Sequence, residues 1–177
     1  MRRFLDRLYY GSGALAAACL ASIAVLMLAQ AFGREAGILI RGAEDFVAWL
    51  CAASAFFALG HTFRNGELVR VGLWLDLLGA RGRWYAELFS LGFTALFGAY
   101  MVWAVARFVF ESWKFNEVAQ GLVRIPIWMP QMSFVLGVTI FLVAVIDELI
   151  VVLKKGKPSY QVAEEARRAA GDFSETL

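Results

Sequence analysis

The sequence predicts an all-α membrane protein with four transmembrane helices and one short helix in the cytoplasmic interface. Of the 177 residues, 60% are hydrophobic, whereas a soluble domain is usually about 45–50% apolar. Charged side chains are also missing from four long intervals, residues 8–33, 46–63, 88–106 and 125–146. Each interval is close to the roughly 20 residues that a helix needs to cross the hydrocarbon core. A soluble helical bundle would need polar faces at helical spacing, which these intervals lack.

The first span, at about residues 11–32, follows a basic lead-in and is rich in small side chains. Gly13, Ala17 and Ala21 recur every four residues, a spacing that lets the backbones of membrane helices approach closely. The stretch Ala29-Gln30-Ala31 has the spacing of a signal-peptide cleavage site, which leaves a cleaved first span as the alternative. The apolar region is longer than the roughly 7–15 residues of a signal peptide, which favours a retained helix.

The second span, at about residues 45–63, begins with Glu44 and Asp45. Carboxylates in a first turn are stabilised by the positive end of the helix dipole; alternatively, one of them faces a partner subunit. Asn65 and Gly66 then predict a turn. Apolar residues fall on one face at helical spacing over residues 67–78, which predicts an amphipathic helix in the membrane interface.

Two more spans and a charged tail are predicted, at about residues 84–108, 127–153 and 154–177. Pro126 and Pro130 stand at the start of the fourth span, with Trp128 between them. Proline is tolerated in a first helical turn, where its missing amide proton would have no partner, and tryptophan favours the membrane–water interface. We therefore expect a defined helix start here, within a chain that forms a single membrane domain.

Basic residues are distributed unevenly between the two sides of these spans. Twelve Lys and Arg residues fall in the N-terminal segment, the loop at 64–83 and the tail. The other five are Arg34, Arg41, Arg107, Lys114 and Arg124. Because basic residues accumulate in cytoplasmic segments, we expect both termini in the cytoplasm, as an even number of spans requires.

The residue types exclude several kinds of chemistry. The chain has a single histidine, His61, and two cysteines that both fall inside predicted spans, so paired-histidine haem and a zinc site both lack ligands. No glycine-rich phosphate loop with a Walker lysine occurs, which excludes ATP-driven pumping by this chain alone. We expect no catalytic residue, no cofactor and no metal, and the chain is predicted not to be an enzyme.

The carboxylates that reach furthest into a span are Asp147 and Glu148, near the cytoplasmic end of the fourth. We interpret them as helix anchors or subunit contacts, with a proton relay as the alternative. Ion-coupled carriers usually keep ionisable residues or broken helices near the bilayer midplane, and the middles of these spans contain neither. This favours a non-transporting membrane subunit over a free-standing four-helix carrier or a redox-complex subunit.

Several features together resemble one transporter family. They are the length, the inner N-terminus, Glu44 at the head of the second helix, and "RIPIWMP" at residues 124–130. The chain is similar to the small, Q-type membrane subunit of tripartite ATP-independent periplasmic (TRAP) transporters, which tends to have such a proline-tryptophan stretch before its last span. The loop "RNGELVRVG" keeps Arg64 and Arg70 of the family pattern, but has Leu68 and Gly72 where the family often has histidine and aspartate.

The resemblance implies a scaffold in the bacterial inner membrane that has no transport chemistry of its own. Its partners would be membrane lipid, a large membrane subunit that imports a carboxylate-bearing solute with the sodium gradient, and a periplasmic solute-binding protein. No nucleic acid is implied. The candidate subunit-contact or helix-anchor positions are Glu44, Asp45, Arg64, Arg70, Pro126, Trp128, Pro130, Asp147 and Glu148.

Overall fold

The computed structural model describes residues 2–65, 80–154 and 162. They contain four helices: α1 (Arg2–Glu35), α2 (Ala43–Asn65), α3 (Ala80–Lys114) and α4 (Trp128–Leu153). Each helix is long and apolar enough to cross a membrane, which confirms the predicted class and its four spans. The predicted interfacial helix at 67–78, the candidate Arg70 and nearly all of the tail lie outside the described residues.

Two helices extend well beyond the spans predicted from hydropathy. α1 starts at Arg2 instead of near residue 11, because Leu5, Leu8 and Tyr9 pack against the core and keep the first turns helical. α3 continues to Lys114 instead of ending near residue 108. A charge-free interval marks only the part of a helix that fits hydrocarbon, and helical hydrogen bonds continue into the interface on either side.

The helices lie side by side in the order α1–α2–α4–α3. α2 packs against α1 and α4, α4 also packs against α3, and α1 makes only a limited contact with α4. α2 and α4 run parallel, since Phe56 lies beside Gly137 and Gly60 lies beside Ile140. α1 and α3 are therefore the two flanks of a layer, and both flanks expose large apolar side chains along most of their length.

The layer has two ends. The terminal end holds the start of α1, the end of α2, the start of α3 and the end of α4, and the far end holds the α1–α2 and α3–α4 loops. A buried cluster near the terminal end takes side chains from all four helices: Tyr9, Phe63, Leu91, Ala144, Val145 and Val152. Beyond Ala16 no residue of α1 is buried, so α1 is packed most tightly at the terminal end.

Candidate functional site

Arg64 joins α2 to α1 at the terminal end. Its guanidinium forms a salt bridge with Asp6 and lies over the ring of Tyr9, with 4.8 Å between the guanidinium carbon and the ring centroid. The Arg64 side chain is 21% exposed and the Asp6 side chain is 51% exposed, so water weakens the ion pair. The structure thus gives this candidate residue partners inside its own chain.

His61 stands about one turn before Arg64 and contacts the same part of α1. Its Nδ1 lies 3.3 Å from the backbone carbonyl oxygen of Tyr9, and its Nε2 lies 2.9 Å from Nδ2 of Asn65. Because the carbonyl oxygen can only accept, Nδ1 donates to it, and Nε2 accepts from the Asn65 amide. The ring packs onto Gly13, where a Cβ would come within 2.9 Å of Cγ.

Asp147 and Glu148 lie near the end of α4, also at the terminal end. Glu148 is only 2% exposed, and Asp147 is partly buried. Val145 and Val152, on either side of them along α4, belong to the buried cluster that also contains Tyr9 of α1 and Phe63 of α2. These carboxylates therefore lie near the junction of α4 with α1 and α2, and their role as helix anchors or subunit contacts stays a prediction.

The junction also holds polar atoms without partners. Tyr9 is 2% exposed, and among the residues that the structure describes neither its hydroxyl nor the Nη1 of Arg64 has a hydrogen-bond partner. Sequence reasoning missed the burial of Tyr9. The available signal was spacing, because Tyr9 and Gly13 share one face of α1 as His61 and Arg64 share one face of α2.

The two acidic residues at the start of α2 have different surroundings at the far end. Glu44 is exposed, whereas Asp45 is partly buried against the α3–α4 loop. Oδ2 of Asp45 accepts a hydrogen bond from the backbone N–H of Val123, at 3.2 Å. The same carboxylate fills the space that a Cβ on Gly121 would occupy, so a larger residue there would displace the Asp45 side chain. Sequence reasoning missed Gly121, since only the folded chain brings it to α2.

The α3–α4 loop is held in one shape by its own hydrogen bonds. α3 ends in a Schellman motif, in which Asn116 takes a φ of 50° and backbone N–H groups bond to the last helical carbonyls. The hydroxyl of Ser112 donates to Glu117 at 2.9 Å. Val118 and Pro126 then form an antiparallel bridge. The loop therefore reaches α4 along a defined path.

The prolines and the tryptophan of "RIPIWMP" lie where this loop becomes α4. Pro126 belongs to the bridge, Trp128 is the first helical residue, and Pro130 is the third. The first helical N–H groups have no partner within the helix, so the missing N–H of Pro130 costs nothing there. All three side chains are partly buried at the start of this helix, as a defined helix start predicts.

The middles of the four described helices carry no Asp, Glu, Lys or Arg side chain. Two ion pairs, Asp6 with Arg64 and Arg107 with Glu111, lie towards helix ends. In the same part of the chain no group of three or more His, Cys, Asp or Glu residues is placed to hold a metal ion. The described residues therefore provide apolar packing surfaces and two polar junctions, one at Arg64 and one at Asp45.

One comparison with known families gives a match. Residues 23–155 match the family model described as "Tripartite ATP-independent periplasmic transporters, DctQ component". This range covers well over half of the chain, from the middle of α1 to just beyond the end of α4. No curated protein matches the chain.

Proposed function

Because the chain belongs to the DctQ family, the small membrane subunits of TRAP transporters, we propose that it is the scaffold of a sodium-coupled transporter. It supports a large membrane subunit that imports a carboxylate-bearing solute, and a periplasmic binding protein delivers that solute. The family and the four apolar helices make the chain a multi-pass inner-membrane protein. The distribution of basic residues supports a cytoplasmic terminal end and a periplasmic far end.

The observation that carries the proposal is an open layer of helices whose middles have no charged side chains. An ionisable residue near the bilayer centre costs about 2.5–3.5 kcal/mol or more, and is retained where ion or solute binding needs it. Here the contacts made by charged side chains gather at the two ends of the layer. Such a layer suits a subunit that is held in place and moves nothing itself.

The two flanks of the layer, α1 and α3, present apolar surfaces of different composition to the large subunit and to lipid. On α3, aromatic side chains such as Phe89, Tyr100 and Trp103 are exposed, whereas α1 exposes small residues such as Ala17 and Ala21 together with larger apolar ones. Both kinds of surface pack well in a membrane, where close van der Waals contact holds helices together. A scaffold needs such apolar flanks on a layer whose helices already pack against one another.

Co-purification tests the proposal. The chain carries an affinity tag at its C-terminus and is expressed with the large TRAP membrane subunit that is proposed as its partner. The membranes are then solubilised in a mild detergent. The large subunit should be recovered with the tagged chain in a fixed ratio, and an unrelated tagged four-helix membrane protein should not recover it. Recovery of the chain alone from membranes that contain both proteins would contradict the proposal.

A further inference from the structure

Two hydrogen-bonding groups are buried where α1 meets α2 at the terminal end. They are the hydroxyl of Tyr9 and the Nη1 of Arg64, and within residues 2–65 and 80–154 neither has a hydrogen-bond partner. Leaving a buried donor unmatched is costly, and nearly all buried polar groups of native proteins bond to protein or to ordered water. The contact between α1 and α2 therefore needs a further bonding group.

The two unmatched groups face the same small region. The Cζ of Arg64 lies over the Tyr9 ring, 4.8 Å from its centroid, and the hydroxyl is a substituent of that ring. Asp6 stands three residues before Tyr9 on the same face of α1, and its Oδ1 forms the salt bridge with Arg64. A guanidinium, a phenol and a carboxylate are thus brought together between the two helices.

The chemistry of these groups favours a neutral molecule that both donates and accepts hydrogen bonds. The Nη1 of Arg64 can only donate, an ionised carboxylate of Asp6 can only accept, and the Tyr9 hydroxyl can do either. An anion would be repelled by Asp6, and a cation would be repelled by Arg64. Water meets both requirements, and a buried water typically makes about three hydrogen bonds to groups of this kind.

The surroundings of Tyr9 limit the size of the bound molecule and give it a path of entry. Tyr9 is 2% exposed, and it packs in the buried cluster with Phe63, Val145 and Val152. These apolar side chains offer no hydrogen bond and close one side of the site to anything large. On the other side the Asp6 side chain is 51% exposed, so a single water molecule can enter from the surface.

We propose that a water molecule binds between α1 and α2, where it accepts from Nη1 of Arg64, donates to Asp6 and bonds to the hydroxyl of Tyr9. The water joins α1 to α2 in the part of α1 that is packed most tightly, since beyond Ala16 no residue of α1 is buried. It therefore helps to hold this flank on the layer, and the inference does not depend on which partner the layer supports.

Radiolytic labelling of the full chain in nanodiscs tests the proposal. A brief X-ray pulse converts water into hydroxyl radicals, which react where they form, so a buried ring is oxidised when bound water lies beside it. Tyr9 should be oxidised several times faster than Phe63, which is 4% exposed in the same buried cluster. Opening of the cluster would label both rings. Equal rates for the two residues, whether low or high, would therefore overturn the proposal.

Removal of the hydroxyl gives a second, independent measurement. Tyr9→Phe deletes one partner of the water and should lower the midpoint of thermal unfolding in detergent by about 2–4 °C, the shift expected for one lost hydrogen bond in a chain of this size. Tyr10→Phe on the next residue is the control and should leave the midpoint unchanged, because Tyr10 is 75% exposed. A hydroxyl without a bound water would be better replaced by an apolar ring. A midpoint for Tyr9→Phe that is unchanged or raised would therefore also overturn the proposal.

Discussion

The imidazole ring of His61 packs directly onto Gly13, so that a Cβ at Gly13 would lie 2.9 Å from Cγ and 3.0 Å from Nδ1. Because Gly13 has no side chain, α2 lies close enough to α1 for Nδ1 of His61 to reach the carbonyl oxygen of Tyr9. Close approach over a small residue is the usual way in which membrane helices associate. The lone histidine of the chain is thereby explained by packing.

A methyl group at Gly13 should therefore separate α1 from α2. Gly13→Ala is expected to lower the free energy of unfolding in mixed detergent micelles by about 1–3 kcal/mol, the usual cost of overfilling a packed site. Gly11→Ala is the control on the same helix, because nothing lies within 4 Å of the position of its Cβ. It should leave stability unchanged or slightly raised, since alanine favours helix. Equal effects of the two substitutions would contradict the packing role of Gly13.

The contact between α2 and α4 makes a similar prediction. A Cβ on Gly137 would lie 2.7 Å from the backbone of Phe56, and backbone gives way less easily than a side chain. Gly137→Ala should lower the midpoint of thermal unfolding in detergent by several degrees, because the helices must move apart. Gly92→Ala on α3 meets nothing within 4 Å and serves as the control. A midpoint for Gly137→Ala that equals the control would show that α2 and α4 are not closely packed there.

The ion pair between Asp6 and Arg64 at the terminal end should make a small but measurable contribution to the free energy of unfolding. A double-mutant cycle of Asp6→Ala and Arg64→Ala should give a coupling free energy of about 0.5–1 kcal/mol, because Asp6 is half exposed. The coupling should decrease as salt is added. The single substitution of Arg64 should cost more than that of Asp6, since it also removes the contact with the Tyr9 ring. A coupling of zero at low salt would show that the pair does not link α1 to α2.

Sequence alone predicts the features of the fold and of the candidate site that depend on neighbouring residues, but not those that depend on contacts between distant ones. The absence of charge over long intervals predicts the four helices, because a membrane span is a local property of about 20 residues. The extension of α1 back to Arg2 could not be predicted in this way, since it depends on Tyr9 and its neighbours packing against distant helices. For Asp45 the sequence left two interpretations, and the contact with Val123 emerges only once the order α1–α2–α4–α3 brings the two loops together.

The orientation of the layer is predicted from the twelve basic residues assigned to one side and the five on the other. In a background without Cys19 and Cys51, a cysteine at Gln120 should react with an impermeant thiol reagent added outside intact cells. A cysteine at Ser159 should react only after the membrane is made permeable. Labelling of position 159 in intact cells, with position 120 protected, would invert the orientation and with it the assignment of the far end to the periplasm.

The central claim is that this chain supports transport and moves no solute itself. The measurement that tests it most directly is uptake into vesicles under an imposed sodium gradient, with labelled dicarboxylates, sialic acid and other organic acids. The purified chain alone should show no uptake above empty vesicles, and uptake should appear when the large subunit and the binding protein are added. Accumulation of solute by the chain alone, abolished by Asp147→Asn or Glu148→Gln, would contradict the claim and make those carboxylates a coupling site.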